Sequence, residues 1–342
     1  MAVVEPEFGG AGVSTVRTGL RRLSAGFDHW LFERPDPTVC SLLRIAFGTV
    51  LLVYWSMWWR ESTHWFSDAG VLQAETMQRI TNGGYPSLLF WLPSDPLTIR
   101  ICLAIALVQT VLLWVGVWSR LQAVCLFVWL VSFQHRNMAI CDGQDVLIRL
   151  LAFYLIFMPL DYAWSLRNWW RNKGWRRWRR STGQMLEALT SHPSASHPAA
   201  SHPAASRPAA SRPAAWGLRL VQLQITAIYL STAWEKYQGL TWRDGTALFY
   251  VSRMDDLYGR FALPDVLFET PGMLSAMTWG VLLVEGSLPL LLWLRATRFW
   301  AVLLAAGLHL SIEASMHIYL FEWLMLVTLL AFVDPKWFRK AD

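Results

Sequence analysis

Residues 96–120 read PLTIRICLAIALVQTVLLWVGVWSR, an apolar run with Arg100 near its start and Arg120 at its end. A transmembrane helix needs about 20 mainly apolar residues to cross a hydrocarbon core about 30 Å thick. Similar runs recur along the 342 residues, of which 54% are hydrophobic and 16% are charged. Soluble proteins carry about 25% charged residues. The sequence therefore predicts an all-α fold, a polytopic integral membrane helical bundle.

The apolar runs predict about eight transmembrane helices. The predicted spans are 40–58, 97–118, 120–134, 145–160, 217–237, 273–294, 298–314 and 317–333. If the N-terminus is cytoplasmic, 20 of the 30 Lys and Arg residues fall in cytoplasmic segments and six in external segments. Positive charge concentrates on the cytoplasmic side of membrane proteins, so both termini are predicted to be cytoplasmic. The chain starts without the apolar core of a cleavable signal peptide, so we expect the first span to direct insertion.

Composition divides the chain into five parts. They are a cytoplasmic N-terminal segment (1–38), a first half-bundle (39–166), a basic Trp-rich juxtamembrane segment with a linker (167–216), a second half-bundle (217–335) and a cytoplasmic tail (336–342). Within the third part, residues 191–215 repeat S-[HR]-P-x-[AS] five times, a composition typical of extended, unpacked linkers. External loops 60–96 and 238–272 mix aromatic residues with Gly and Pro, which indicates interfacial or re-entrant pieces. We expect function on this external face.

The stretch 167–180, RNWWRNKGWRRWRR, alternates basic residues with Trp. It is interpreted either as a patch that binds acidic lipids or, preferably, as a juxtamembrane anchor that fixes topology. The net charge of +6 is explained by loops that face anionic lipid, so no nucleic-acid partner is expected. The lipid bilayer is the partner that the sequence indicates, and no protein partner can be inferred. We expect the protein in the inner (plasma) membrane of a bacterium.

Several ionisable residues lie inside the apolar runs or at their edges. They are Arg44, Asp145, Arg149, Lys236, Glu285, His309 and Glu313. Because a charge in a bilayer costs about 2.5–3.5 kcal/mol on insertion scales, each needs a partner or a function. Lys236, at the external end of the fifth span, is the strongest candidate, since a partly desolvated lysine can act as a general base. The alternative is that Lys236 extends to the headgroups at the helix end.

The other ionisable residues suggest local arrangements. His309, Glu313 and His317 are spaced i, i+4, i+8, which predicts a common helical face. That face is expected to be a hydrogen-bonded packing surface or a proton relay, and no metal site is expected. Asp145 and Arg149 have the spacing of a local ion pair. Buried Arg44 and Glu285 are expected to be neutralised by oppositely charged partners.

Five stretches together resemble a known family. They are FSDAGVL (66–72), DGQDVLIRLLAFYLIFMPLD (142–161), IYLSTAWEKYQGLTWRDGTALFY (228–250), WGVLLVEGSLPLLLWLRATRFW (279–300) and GLHLSIEASMHIYLFEWLM (307–325). In this order they resemble the HTTM (horizontally transferred transmembrane) family, which includes the membrane portion of vitamin K-dependent gamma-carboxylase. The resemblance spans 38–335 apart from the repeat insert. Its most specific part is K-x-x-G-x-x-W-x-D-G-T-A, from Lys236 to Ala247.

The resemblance implies a carboxylase-like enzyme that uses a reduced quinone such as vitamin K hydroquinone. Lys236 would be the general base that deprotonates the quinol, with His309 and Glu313 as supporting polar groups. The residues expected to shape the substrate site are Trp242, Asp244, His135 and Glu285. The alternatives are a non-enzymatic membrane scaffold and a transporter or lipid-binding protein.

Three departures limit the carry-over from the carboxylase. The carboxylase has two adjacent lysines where this chain has Glu235 and Lys236, and His135 matches its motif only loosely. This sequence also ends at Asp342, without the large luminal domain that helps to hold a protein substrate. A small lipid-soluble substrate is therefore expected.

Overall fold

The computed structural model describes residues 30, 36–171, 173, 216–254, 257–261, 264–334 and 337. The predicted linker 191–215, nearly all of the N-terminal segment and most of the C-terminal tail lie outside these residues. The described part of the chain is helical, apart from one isolated β-bridge between Tyr258 and Met316. The all-α prediction is confirmed.

Eight helices of nine or more residues, labelled α1 to α8, form the described bundle. They are α1 (Pro37–Phe66), α2 (Pro96–Val115), α3 (Ser119–Arg136), α4 (Gly143–Leu155), α5 (Trp216–Gln238), α6 (Pro271–Leu291), α7 (Arg298–Ser315) and α8 (Phe321–Leu329). Each predicted span overlaps one of these helices, although their ends differ by up to eight residues. Among the described residues, α1, α2 and α6 are long and apolar enough to cross a membrane. The described residues also contain short α-helices at Ala74–Ile80, Leu240–Arg243, Ala247–Val251 and Val266–Glu269. Short 3₁₀ helices lie at Leu88–Trp91, at Met138–Ile140 and at Leu330–Phe332, where the last one continues α8.

Local sequence explains where the first two long helices begin. Asp36 and Asp95 are N-caps whose carboxylates accept hydrogen bonds from backbone N–H groups of the first turn. A proline follows each of them at the first helical position, where its missing N–H would have no helical partner anyway. The Asp-Pro pairs therefore set the starts of α1 and α2.

The end of α2 is held by Arg44, whose side chain is fully buried. Its guanidinium donates hydrogen bonds to the carbonyls of Leu113 (2.8 Å), Trp114 (2.6 Å) and Trp164 (2.7 Å). Carbonyls in the last turn of a helix lack helical partners and carry partial negative charge. Gly116 ends the helix at φ +81°, and a Cβ there would lie 2.6 Å from Arg44 Nη1. The guanidinium of Arg44 is therefore bound by backbone carbonyls, and it forms no ion pair with an acidic side chain among the described residues.

The helices pack as two halves that share one core. In the first half α1 packs on α2, α2 on α3 and α3 on α4; in the second, α5 packs on α6, α6 on α7 and α7 on α8. Contacts of α4 with α5 and of α8 with α1, α4 and α5 join the halves. A single buried cluster runs through both, from Leu51 and Leu103 to Ile225 and Leu324. The two half-bundles thus form one unit.

The long predicted loops contain ordered structure. Helix α1 continues to Phe66, eight residues beyond the predicted end of the first span. Buried Arg136 then holds the following loop by binding the Asp68 carboxylate and the Leu72 carbonyl, each at 3.0 Å. In the second half, residues 257–261 pair with the end of α7 through backbone bonds such as Gly259 N–H to Ser315 O (3.0 Å).

The four cysteines are free thiols. Cys141 lies between α3 and α4, and its Sγ is 3.5 Å from the carbonyl oxygens of Gln134 and Asn137. Burial raises the pKa of the Cys141 thiol to about 12, so it stays protonated at neutral pH.

Candidate functional site

Lys236, near the end of α5, forms an ion pair with Glu285 of α6. The Lys236 side chain is 26% exposed and the Glu285 side chain only 7%. Glu285 lies about four turns into α6, so the ammonium points into the bundle and does not extend along the helix end. The second carboxylate oxygen, Glu285 Oε2, is buried and has no hydrogen-bond partner among the described residues. An unsatisfied buried carboxylate oxygen is costly, and here it lies beside a partly accessible lysine.

The segment after Lys236 folds back over this pair. The ring centroid of Trp242 lies 5.2 Å from Lys236 Nζ, within the range of a cation–π contact. Asp244 is exposed, and its carboxylate accepts hydrogen bonds from the backbone N–H (3.0 Å) and hydroxyl (2.5 Å) of Thr246. Trp242 therefore covers the lysine, as expected of a residue that shapes the site. Asp244 instead holds the turn before Ala247–Val251.

Gly245 explains another part of the Lys236–Ala247 stretch. Its φ of +81° lies in the left-handed region, and a Cβ there would lie 2.8 Å from Ser275 Oγ on α6. Ala247, two residues later, is buried. Only glycine combines this backbone conformation with so close an approach to α6. The glycine thus allows the segment that covers Lys236 to approach α6, the helix that carries Glu285, closely.

Gly245→Ala is expected to destabilise the protein by about 1–3 kcal/mol, because alanine adds both left-handed strain and a steric contact. The measurement is thermal unfolding of the purified protein in detergent, followed by Trp fluorescence. Gly272→Ala on the first turn of α6 is the matched control, since a Cβ there has no neighbour within 4 Å. Equal stability of the two variants would contradict this role for Gly245.

A second group of polar side chains lies deeper between α5, α7 and α8. His309 Nε2 is 2.7 Å from the Tyr229 hydroxyl, and His309 Nδ1 is 2.5 Å from Glu322 Oε2. All three side chains are buried. A neutral imidazole with its proton on Nδ1 donates to the carboxylate and accepts from the phenol, which fits both distances. The arrangement can pass a proton between Tyr229 and His309 while Glu322 orients the ring.

Tyr229 lies on the same helix as Lys236. It lies seven residues before Lys236 on α5, which is close to two turns, so both side chains are on similar faces of that helix. Both Glu285 and Glu322 lie within electrostatic range of its hydroxyl. We call these five residues the polar row: Lys236, Glu285, Tyr229, His309 and Glu322.

Glu313 lies one helical turn after His309 on α7, whereas His317 does not belong to that helix. Glu313 forms an ion pair with Arg260 from the external segment. Helix α7 ends at Ser315, so His317 is outside the helix and exposed. The predicted common face therefore includes His309 and Glu313, which are four residues apart on α7 and both buried, but it does not include His317, because the chain leaves the helical path at Met316. Among the described residues, no group of three His, Cys, Asp or Glu side chains is placed to hold a metal ion.

His135 belongs to the first half-bundle. Its Nδ1 lies 2.8 Å from the Pro86 carbonyl and its Nε2 lies 3.2 Å from Arg149 Nη1. Asp145 accepts a hydrogen bond from the Tyr54 hydroxyl at 2.6 Å and forms a capping box at the start of α4. The predicted Asp145–Arg149 ion pair is therefore replaced by two separate contacts. No contact in the described residues links His135 to the polar row.

The structure thus brings Lys236, Glu285 and Trp242 together and places His309 with Tyr229 and Glu322. Glu313 pairs with Arg260, and Asp244 and His135 make their contacts elsewhere. Sequence reasoning missed Glu322 and Tyr229. A signal for Glu322 was present, since an acidic residue inside the apolar run YLFEWLM needs a partner in the membrane. Tyr229 gave no comparable signal, because tyrosine is common in apolar helices.

Comparison with known proteins supplies one match. Residues 184–337 match the family model described as the HTTM domain, a range that contains all five residues of the polar row. This confirms the resemblance noted from the sequence. No curated protein and no solved structure gives a match.

Proposed function

We propose, from the premise that this chain is an HTTM-domain membrane protein, that it is an enzyme acting on a lipid-soluble hydroquinone or phenol. The proposal includes about eight membrane crossings with cytoplasmic termini in a bacterial inner membrane. The observation that carries it is the unpartnered Glu285 Oε2 beside the partly accessible Lys236. A substrate hydroxyl would supply the hydrogen bond that this oxygen lacks.

The Lys236–Glu285 pair fits the removal of a proton from such a hydroxyl. The pair as a unit is electrically neutral, so it places no uncompensated charge in the membrane before substrate binds. When the proton shared by the pair lies on Glu285, Lys236 is a neutral amine and can accept the hydroxyl proton, so that the lysine becomes an ammonium group and the substrate oxygen becomes negative. The lysine ammonium then stabilises that oxygen at short range. Electrostatic stabilisation of this kind is strong in a site from which water is excluded.

The deeper part of the polar row provides a route for the removed proton. Tyr229 lies about two turns before Lys236 on α5 and contacts His309, and Glu322 holds the imidazole on its far side. A reduced quinone would supply the electrons for the overall oxidation, whereas the chain supplies the binding, orientation and proton transfer. Lys236, Glu285 and Trp242 are the residues that would hold it.

The first experiment is mass spectrometry of lipids and quinones that co-purify with the protein, with wild type beside Lys236→Ala. A stoichiometric quinone in wild type that is lost in the variant supports the proposal. Equal quinone content, or none in either sample, favours the non-enzymatic scaffold or the transporter. Glu235→Gln, which removes the exposed carboxylate next to Lys236, should keep the quinone content of wild type, so that loss of binding in Lys236→Ala can be assigned to the ion pair.

Glu322→Gln is expected to lower turnover by about 10- to 100-fold, since a hydrogen bond to a charged group contributes about 1.5–3 kcal/mol. Glu322 is a positioning residue, so the discriminating readout is the pH–rate profile. The profile should differ in shape from that of wild type, because the substitution removes the carboxylate that accepts from His309 Nδ1. Glu235→Gln, which removes an exposed carboxylate next to Lys236, is the control. An unchanged pH profile for Glu322→Gln would exclude His309 from the proton route.

A further inference from the structure

A basic cavity of about 260 Å³ lies at the end of the bundle where α3 begins. The polar residues that line it are Arg120, Asp161, Tyr162, Arg167, Asn168 and Arg171. Three arginines and one aspartate give the cavity two more positive than negative charges. The cavity is far along the chain from the polar row and belongs to the first half-bundle.

The single aspartate of the cavity is already engaged. Asp161 Oδ2 accepts from Arg167 Nη1 at 3.1 Å, and Asp161 Oδ1 accepts from the Ser119 backbone N–H at 3.3 Å. Arg120 and Arg171 form no ion pair with any residue that the structure describes. Two guanidinium groups at one cavity, without a counter-ion among the described residues, provide the donors that a phosphate group prefers.

Exposed tryptophans show the depth of this cavity in the membrane. Trp118, Trp164, Trp169 and Trp170 flank it and are between 50% and 59% exposed. Tryptophan concentrates at the headgroup level of bilayers, where the ring is buried and the N–H remains hydrated. The cavity therefore lies at the level of lipid phosphates.

An apolar cavity of about 620 Å³ adjoins the basic one, and Asn168 lines both. Its apolar walls come from Ile45, Trp114, Val115 and Leu166. A free inorganic phosphate has no apolar part that could bind in this second cavity. A phospholipid would fill both, with its phosphate at the arginines and an acyl chain along the apolar wall.

We propose that this pair of cavities is a binding site for an anionic phospholipid, with Arg120 and Arg171 as the phosphate ligands. The neighbouring sequence KGWRRWRR (173–180) increases the local positive charge and so favours an anionic headgroup over a zwitterionic one. The basic Trp-rich stretch then acts as more than a topological anchor. Its first residues, Arg167, Asn168 and Arg171, line the lipid site.

The test is thermal unfolding of the full chain in detergent with added dihexanoyl-phosphatidylglycerol, dihexanoyl-phosphatidylcholine or sodium phosphate at matched ionic strength. Phosphatidylglycerol should raise the unfolding temperature with saturation, whereas the other two should not. The double variant Arg120→Gln/Arg171→Gln should raise the half-saturation concentration about tenfold or more, because two charge-assisted hydrogen bonds are lost. Its unfolding temperature without lipid should match wild type, since both side chains are exposed.

The matched control is Arg60→Gln/Arg100→Gln. It removes two exposed arginines near the end of α1 and the start of α2, which is the end of the bundle away from the cavity. This control should respond to phosphatidylglycerol like wild type. If phosphate alone reproduces the shift, the site binds a soluble anion and the lipid proposal is wrong. If no ligand shifts the unfolding temperature, or the two double variants respond alike, the cavity is not the binding site.

Discussion

Lys236→Arg is expected to reduce turnover of a hydroquinone-type substrate by about 10²- to 10⁴-fold, the usual contribution of a positioned acid or base. Arginine keeps the positive charge opposite Glu285, so the buried carboxylate remains paired and the fold should be retained. Guanidinium does not lose its proton in proteins, so it cannot complete a proton transfer. Turnover should be measured in detergent or in liposomes, together with the unfolding temperature.

Two further variants sharpen this test. Lys236→Ala should also lose turnover, but it leaves Glu285 as an unpaired buried charge and should lower the unfolding temperature as well. Lys173→Arg, on the other half of the chain, is the conservative control and should behave like wild type. Wild-type turnover in Lys236→Arg would show that the lysine acts only as a counter-ion to Glu285. The scaffold or transporter alternatives would then be the better explanations.

Arg44→Leu is expected to cause the largest loss of stability, about 3–5 kcal/mol, which is the range for breaking a buried charge network. The substitution removes all three hydrogen bonds to the carbonyls of Leu113, Trp114 and Trp164. Each buried carbonyl that loses its partner costs about 1–3 kcal/mol. The measurement is the unfolding temperature in detergent, followed by intrinsic fluorescence.

Arg100→Leu is the control for Arg44→Leu, because Arg100 is exposed on the neighbouring helix. It should leave the unfolding temperature close to that of wild type. Comparable losses in the two variants would mean that Arg44 stabilises the bundle through general polarity and not through the end of α2.

The sequence was sufficient to locate the helices, for physical reasons that are visible in the structure. Apolar runs of span length mark the long helices, and Asp-Pro pairs mark where α1 and α2 begin. The same reasoning placed the end of α1 too early. Residues 59–66 contain Arg60, Glu61 and His64, so they read as a loop, although they continue the helix above the apolar span.

The site was only partly accessible from sequence. Lys236 and Glu285 stood out because charges inside apolar runs are rare, but their pairing joins residues 49 positions apart on different helices. Helical spacing predicts neighbours within one helix, which explains the wrong grouping of His309 with His317. The contact of His309 with Tyr229 and Glu322 depends on how α5, α7 and α8 pack. The pattern of residues within each helix does not predict which helices pack together.

The position of Arg44 also constrains the order in which the chain can be assembled in the membrane. Helix α1 leaves the ribosome before any of the carbonyls that Arg44 binds, the last of which belongs to Trp164. Until then the guanidinium, two turns from the start of α1, must extend to the lipid headgroups. The complete set of hydrogen bonds that fixes Arg44 can therefore form only after the fourth helix and the turn that follows it have been synthesised.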